Sequence, residues 1–325
     1  MDTSKIFNTK SPSDFDTLAL EIYKHQYTHN KVYQEFCNYL KKHPKKVKQV
    51  IDIPFLPIEF FKSKKIISSL DTPEVLFTSS GTTGSLTSTH YVTDVSIYEN
   101  SYLNAFSYFY GNIKDYCVLA LLPSYLEREG SSLIYMAEDL IKKSEHPESG
   151  FYLNDIELLS KKLIRLDKTG SKVLLIGVSF ALVDLAENYK LELKNTIVME
   201  TGGMKGRRKE MIREELHDIL KKGFGVKAVH SEYGMTELLS QAYSQGNGIF
   251  KTPPWMQILI RDTEDALSYQ TNGRTGGINV IDLANINSCS FIATQDLGKK
   301  FDDESFEILG RFDHSDIRGC NLMVL

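Results

Sequence analysis

The pattern of apolar and polar positions predicts helices at the start of the chain and alternating strands and helices further on. Within residues 12–43, apolar side chains recur at spacings of three and four, which is typical of amphipathic helices. Continuous apolar runs, typical of strands buried on both faces, then alternate with further helical patterns. The predicted helices are residues 94–111, 131–141, a stretch ending at 185, and 208–220; the predicted buried strands are 116–122, 172–178 and 196–200. This alternation predicts an α/β fold with a largely parallel sheet.

The pattern changes after residue 250. Four short apolar segments, separated by turn residues, occupy residues 257–260, 277–281, 290–294 and 306–309. Short strands of this kind are typical of antiparallel sheets. We therefore expect an α/β part of about residues 1–250, followed by a smaller β-rich subdomain and tail over about residues 251–325.

Composition narrows the class of protein. The chain has 325 residues, 42% of them hydrophobic, and a formal net charge of −4. It therefore has no overall positive charge to favour nucleic acid, and no apolar run reaches membrane-spanning length. The four cysteines are scattered without metal-binding spacing, and the N-terminus lacks the apolar core of a signal peptide. These features predict a cytoplasmic protein that is not an integral membrane protein.

A loop rich in serine, threonine and glycine is the first candidate for binding chemistry. Apolar residues 75–77 and residues 90–92 predict two strands around it. The loop contains Ser79, Ser80, Gly81, Thr82, Thr83 and Gly84. Glycines allow close backbone approach to a ligand, and successive N–H groups with hydroxyls can bind phosphate. No lysine follows the last glycine, so this is not a P-loop, and taken alone the loop could equally be a solvated turn.

Four polar turns occur in a characteristic order. They are residues 79–84, Tyr233-Gly234-Met235-Thr236-Glu237, Gln295-Asp296, and Gly310-Arg311 with Asp313. In this order and spacing, they resemble the adenylate-forming superfamily of acyl-CoA synthetases, luciferases and peptide-synthetase adenylation domains. The resemblance implies a large domain with mixed sheets and flanking helices, a smaller β-rich subdomain, and the use of ATP and Mg²⁺.

The resemblance also implies a role for each motif. The loop at residues 79–84 would bind the ATP phosphates, and Gly202-Gly203 would contact adenine. Tyr233, with Gly234, would lie near adenine, and Thr236 would bind phosphate. Glu237 would bind Mg²⁺, and Asp296 would bind the ribose hydroxyls. Arg311 matches the arginine that follows the hinge-side glycine in the family. From the residues alone, Asp296 could instead cap a turn, and Glu237 could be an acid at a helix N-terminus.

The end of the chain resembles one branch of this superfamily. The usual small C-terminal domain with a catalytic lysine has no counterpart after the Gly310-Arg311 motif. The pattern is similar to LuxE-type acyl-protein synthetases, relatives of phenylacetate-CoA ligases, which activate a fatty acid and move the acyl group to a cysteine near their C-terminus. Cys320 stands at the matching place, and Arg318 nearby would favour its thiolate. On composition alone, a lone cysteine is more often a small buried residue.

The sequence therefore leaves three candidate functions. The first is ATP-dependent activation of a carboxylic acid, with a fatty acid favoured, followed by acyl transfer to Cys320. Its partners would be the acid and an acyl-acceptor protein or an acyl-reductase-type protein. The second is a CoA ligase or an acyltransferase with another acceptor, for which Cys320 would be dispensable. The third is a nucleotide-binding subunit without catalysis.

Overall fold

The fold comes from a computed structural model, which describes residues 3–79, 86–123, 129–202 and 211–312. Several predicted site residues lie outside these ranges: Ser80, Gly81, Thr82, Thr83, Gly84, Gly203, Asp313 and Cys320.

The described residues form helices and strands in the following order. The helices are α1 (Ser4–Phe7), α2 (Pro12–His29), α3 (Lys31–Tyr39), α4 (Phe60–Ser63), α5 (Val95–Tyr110), α6 (Ser132–Ser144), α7 (Ile156–Lys168), α8 (Ser179–Asn188) and α9 (Arg213–Phe224). The strands are β1 (Leu56–Pro57), β2 (Val75–Thr78), β3 (Thr89–Val92), β4 (Tyr116–Leu121), β5 (Gly150–Phe151), β6 (Lys172–Val178), β7 (Thr196–Thr201), β8 (His230–Tyr233), β9 (Ala242–Ser244), β10 (Ile249–Lys251), β11 (Met256–Arg261), β12 (Thr275–Asp282), β13 (Phe291–Lys300) and β14 (Phe306–Arg311).

The chain divides into two compact units, and the first runs without interruption from Thr72 to Pro253. Its main sheet has the order β10-β9-β8-β7-β6-β4-β5. The five strands from β8 to β5 are parallel, whereas β9 and β10 pair antiparallel. The predicted largely parallel sheet is confirmed. A separate hairpin pairs β2 with β3.

The parallel strands form where the sequence is continuously apolar. Every residue of β4 is buried, and β6 is buried from Val173 onward. Helices α8 and α9 pack closely because Gly223 has no side chain: a Cβ there would lie 2.5 Å from Cβ of Ala186. Helix α9 begins at Arg213 rather than near 208 and ends at Phe224. Gly225 caps it with a φ of +67°, which suits glycine.

The second unit combines residues Met1–Asp71 with Pro254–Leu325. Its strands β11 to β14 form an antiparallel sheet, as predicted for this region, and β1 adds a parallel pairing to β13. Ser11 caps α2, and the side chain of Asp14 accepts from the Ser11 N–H in return.

Helix α2 packs with the strand region through buried polar contacts. The Gln26 side chain is fully buried; its amide donates to the carbonyls of Asn285 and Ile286, and its oxygen accepts from the Ser290 N–H. An amide buried without partners would be costly, so these contacts specify where the helix docks. The sequence pattern did not indicate that the N-terminal helices join the C-terminal strands.

Candidate functional site

The described root of the Ser/Thr/Gly loop is the β2–β3 hairpin. The Ser79 N–H donates to the Ser88 carbonyl at 3.1 Å, and the Ser88 N–H donates to Oγ of Ser79 at 2.9 Å. One strand position earlier, the Thr78 N–H donates to the Gly130 carbonyl at 2.7 Å. Ser79 therefore closes the described part of the hairpin with its own hydroxyl.

The Tyr-Gly-Met-Thr-Glu motif follows the end of a buried strand. Tyr233 is the last residue of β8 and pairs with Ala242 of β9. The chain then turns, and the Leu238 N–H donates to the Met235 carbonyl at 3.1 Å. Glu237 is 5% exposed and lies in this turn. Among the described residues it does not begin a helix, so the alternative role as a helix N-terminal acid is excluded.

A histidine that the sequence analysis missed connects the two motifs. His90 lies in β3, and its Nδ1 is 2.9 Å from the carbonyl oxygen of Thr236. Burial lowers the pKa of His90 to about 4, so the ring is neutral near pH 7 and Nδ1 donates this bond. The structure thus brings the hairpin that carries Ser79 together with the turn that carries Glu237. The only sequence signal was a histidine at an inward-facing position of a predicted strand.

The turn that begins at Gly202 follows β7, the strand next to the one that ends at Tyr233. Gly202 follows the end of β7 with a φ of +68°, a conformation that favours glycine. The Ser179 hydroxyl donates to the Gly202 carbonyl at 2.5 Å. The preceding residue, Thr201, donates from Oγ1 to Oε2 of Glu232 at 2.6 Å, across the β7–β8 pairing. Gly202 therefore follows β7 and Tyr233 ends the adjacent β8, and the two strands are bonded side chain to side chain.

Two buried glutamates lie at these strand ends. Burial is the main reason that the pKa of Glu232 rises to about 7; the nearby Glu200 raises it further, while the Thr201 bond lowers it. Glu200 lies 3.7 Å from Nε of Arg213 and 3.7 Å from Nε2 of His217. The sequence analysis missed Glu232, although an acid inside an inward-facing strand directly before Tyr233 was a visible signal.

Asp296 and Arg311 form the candidate site of the second unit. They face each other across β13 and β14, and Nε of Arg311 is 3.1 Å from Oδ1 of Asp296. The Asp296 side chain is 9% exposed and that of Arg311 is 76% exposed. An ion pair with such an exposed arginine contributes little to stability. Its effect is to orient a buried carboxylate toward the surface where Arg311 lies.

The prediction that Gln295-Asp296 is a turn was wrong. Both residues lie inside β13, whose ten residues alternate between buried and partly exposed positions. The strand continues past Thr294 because Leu297 and Lys300 keep this alternation, and a register shift falls between Leu297 and Gly298. Gly310-Arg311 likewise belongs to the end of β14. Asp296 thus lies next to an irregularity in the pairing of β13 with β14, and not in a turn.

Arg261 stabilises the backbone on which Asp296 lies and was not singled out from the sequence. Its guanidinium donates to the carbonyl of Ile278 at 2.9 Å and to the carbonyl of Thr294 at 2.5 Å. Gly277 leaves room for this group, since a Cβ there would lie 2.4 Å from Cζ of Arg261. The arginine thereby joins β12 to β13 two residues before Asp296.

The three cysteines that the structure describes have no features of a reactive thiol. Cys37, Cys117 and Cys289 are buried. Burial raises the pKa of Cys37 to about 12 and that of Cys117 to about 11, and raises the pKa of Cys289 further. A thiol of this kind is not a nucleophile near neutral pH. The prediction for Cys320 lies outside the described residues.

The side chains that the structure describes suit a metal ion bound together with a nucleotide better than one held by protein alone. Within residues 3–79, 86–123, 129–202 and 211–312, no three His, Cys, Asp or Glu side chains are grouped as a metal site. Mg²⁺ is usually held by one or two carboxylates together with phosphate oxygens and water. Glu237, a buried acid adjacent in sequence to Thr236, is of the residue type that such an arrangement uses. In the same described ranges, no helix is long and apolar enough to cross a membrane.

Several solved structures have the same fold as this chain. A 2-hydroxyisobutyryl-CoA ligase in an open conformation, with 2-HIB-AMP and CoA, has a TM-score of 0.67 at 12% identity, covering 94% of this chain and 77% of that one. In its postadenylation state the TM-score is 0.68. ATP-bound MatB from Rhodopseudomonas palustris gives a TM-score of 0.55 at 18% identity, and this chain spans only 47% of its length. The chain has the fold of the adenylate-forming ligases, as predicted.

A family comparison matches the N-terminal part of the chain. Residues 6–123 match the family described as Acyl-protein synthetase, LuxE. The match contains the whole Ser/Thr/Gly loop and ends before Tyr233, Asp296 and Cys320. A search of curated proteins found no match. The predicted resemblance to LuxE-type synthetases is confirmed, and with the fold it supports the prediction of an ATP-dependent acid ligase.

Proposed function

We propose that the protein activates a carboxylic acid, with a fatty acid as the favoured class, and transfers the acyl group to a protein cysteine. The observation that carries this proposal is the LuxE match over residues 6–123 on a chain with the adenylate-forming fold. The match includes the loop whose hydroxyls and amides suit a polyphosphate. The contact between His90 and Thr236 supports the proposal because it joins that loop's hairpin to the second motif.

The first step forms an acyl-adenylate. A carboxylate oxygen of the acid attacks the α-phosphorus of ATP, the bond from that phosphorus to the bridging oxygen breaks, and pyrophosphate leaves. Attack by an anion on a charged triphosphate requires fixed donors, so positioning and electrostatics supply most of the catalysis. In this proposal Ser79, Ser80, Thr82, Thr83 and Thr236 bind phosphate oxygens.

Further residues would hold the nucleotide and its metal ion in this proposal. Tyr233 and the turn at Gly202-Gly203 contact adenine, and Asp296 accepts hydrogen bonds from the ribose hydroxyls while Arg311 holds its carboxylate. Glu237 would hold Mg²⁺, which neutralises phosphate charge when bound.

The second step moves the acyl group to sulfur. The thiolate of Cys320 attacks the acyl carbonyl carbon, the bond from that carbon to the phosphate oxygen breaks, and AMP leaves; the thiol proton goes to solvent beforehand. A thioester keeps the acyl group activated for an acceptor protein or an acyl-reductase-type partner. The burial of the three described cysteines supports Cys320 as the acceptor, because those thiols are not ionised near pH 7.

One observation favours a second candidate function. The solved structures with this fold include a ligase bound to CoA. In that case CoA, rather than Cys320, would take the acyl group from the adenylate. The third candidate, a nucleotide-binding subunit without catalysis, differs from both because it would not exchange pyrophosphate with ATP.

Pyrophosphate exchange with a panel of carboxylic acids tests the first step. We expect acid-dependent incorporation of labelled pyrophosphate into ATP, strongest with fatty acids. Labelled fatty acid with ATP and Mg²⁺ should then leave hydroxylamine-sensitive label on the protein, and Cys320→Ser should keep exchange but lose the label. Cys289→Ser is the matched control and should keep both. Label that persists on Cys320→Ser, or transfer only when CoA is added, would contradict acylation of Cys320.

A further inference from the structure

We propose that Glu232 is a positioning residue that holds together the two nucleotide-binding turns of the first unit. One turn begins at Gly202, and the other begins at Tyr233 and Gly234. The inference rests on the proposed function, because it assigns both turns to ATP. It adds a residue outside the motif that suggested the function.

One carboxylate oxygen of Glu232 is bonded to the strand before the first turn. Thr201 and Glu232 are partners in the β7–β8 register, and the Thr201 hydroxyl donates to Oε2 at 2.6 Å. Thr201 directly precedes Gly202. A bond to a carboxylate is short and strong, so it fixes the end of β7 relative to the end of β8.

The other oxygen of Glu232 lies against the second turn. A Cβ built on Gly234 would be only 2.4 Å from Oε1 of Glu232, closer than real Cβ contacts. The carboxylate therefore occupies the space that any side chain at residue 234 would need. This contact explains in physical terms why glycine follows Tyr233, and it places the same carboxyl group beside both turns.

The remaining surroundings of Glu232 are mostly aromatic. Tyr98 and Tyr110 from α5, Tyr243 from β9 and the Glu200 carboxylate from β7 all interact electrostatically with it. Burial there raises the pKa of Glu232 to about 7. An apolar side chain would suit such a site without a desolvation cost. The carboxyl group is thus explained by the two turns that it contacts.

The chain offers a matched control for the Thr201 bond. Thr196 lies at the opposite end of β7, is also buried, and also donates to a carboxylate, Oδ1 of Asp167, at 3.1 Å. Thr201→Val and Thr196→Val each remove one hydroxyl–carboxylate bond from the same strand without changing side-chain shape. Only the first removes a bond next to a proposed nucleotide turn.

The test measures ATP–pyrophosphate exchange and direct binding of Mg-ATP by calorimetry for wild type, Thr201→Val, Thr196→Val and Glu232→Gln. We expect Thr201→Val to raise the KM and Kd for ATP about tenfold, with the KM for the acid changing less than twofold. Thr196→Val should leave the constants for ATP within about twofold, since its bond is remote from the turns. Glu232→Gln replaces the charged acceptor of the Thr201 bond by a neutral one, so it should raise the Kd for ATP, but less than Thr201→Val does.

The outcomes separate this inference from the proposed function. Equal effects of Thr201→Val and Thr196→Val on the ATP constants would overturn the positioning role, as would an unchanged Kd for ATP in Thr201→Val. A wild type that binds Mg-ATP without exchange would overturn the proposed function, while the Kd comparison still decides the role of Glu232. A wild type that does not bind ATP would overturn both.

Discussion

Replacing Glu232 by glutamine should change how stability depends on pH. Burial raises the pKa of Glu232 from 4.5 to about 7 in the folded protein. A carboxyl group with a raised folded pKa contributes stability that is fully present below its unfolded pKa and lost as pH rises through the folded value. Wild type should therefore lose stability from this group between about pH 5 and pH 8, whereas the glutamine variant has no group there to ionise.

The size of the effect follows from the shift. The rise in the pKa of Glu232, from 4.5 to about 7, corresponds to about 3 kcal/mol. This is the largest change that we expect, over this pH range, in the difference in free energy of unfolding between the two proteins. Glutamine keeps an acceptor oxygen for the Thr201 hydroxyl, so its packing cost should be constant with pH. The free energy of unfolding of the variant should therefore increase relative to that of wild type as pH rises.

Urea unfolding at pH 5, 6, 7 and 8 measures this difference. Taking the difference between variant and wild type removes the contribution of groups common to both proteins. Glu192→Gln, at an exposed position of the same unit, is the control and should follow wild type at every pH. A constant difference between Glu232→Gln and wild type across the four pH values would refute the reasoning, because it would mean that Glu232 titrates alike in the folded and unfolded states.

Three further predictions concern the other contacts. Glu237→Gln should raise the Mg²⁺ concentration needed for half-maximal exchange about tenfold with an unchanged circular dichroism spectrum; an unchanged Mg²⁺ requirement would contradict the metal role. Asp296→Asn should raise the KM for ATP about tenfold, because the ribose and Arg311 lose a charged acceptor, and wild-type kinetics would remove Asp296 from the site. Gly130→Ala should lower the free energy of unfolding by about 1–3 kcal/mol, since its φ is +79° and a Cβ would lie 2.9 Å from Oγ1 of Thr78; an unchanged melting temperature would argue against the strained contact.

Much of the fold could be predicted because the central strands are continuously apolar. Strand β6 was expected at residues 172–178 and lies there, since a strand buried on both faces leaves no alternating pattern to misread. Strand β13 was expected to end at Thr294 because Gln295 and Asp296 are polar. In a strand, however, every second side chain can face solvent or a polar partner, so polarity alone did not mark its end.

The candidate site was only partly predictable, for a different reason. Motif order singled out Tyr233, Glu237 and Asp296 as candidates, because their residue types themselves suggest chemistry. His90 and Glu232 stand out only through contacts with residues elsewhere in the chain, 146 positions away in the case of His90 and Thr236. Such contacts depend on strand order and register, which the period of apolar residues does not determine.

The composition of the second unit from both ends of the chain has a consequence for synthesis. Gln26 and its partner Ser290 are separated by 264 positions. At about 5–20 residues per second, the ribosome needs roughly 13–50 s between them. During that interval the strands that pack against the apolar face of α2 have not been synthesised. The unit Thr72–Pro253, by contrast, is synthesised as one continuous stretch. Nascent chains should therefore acquire protease resistance in the middle segment first, and the N-terminal helices should be the region that chaperones must shield.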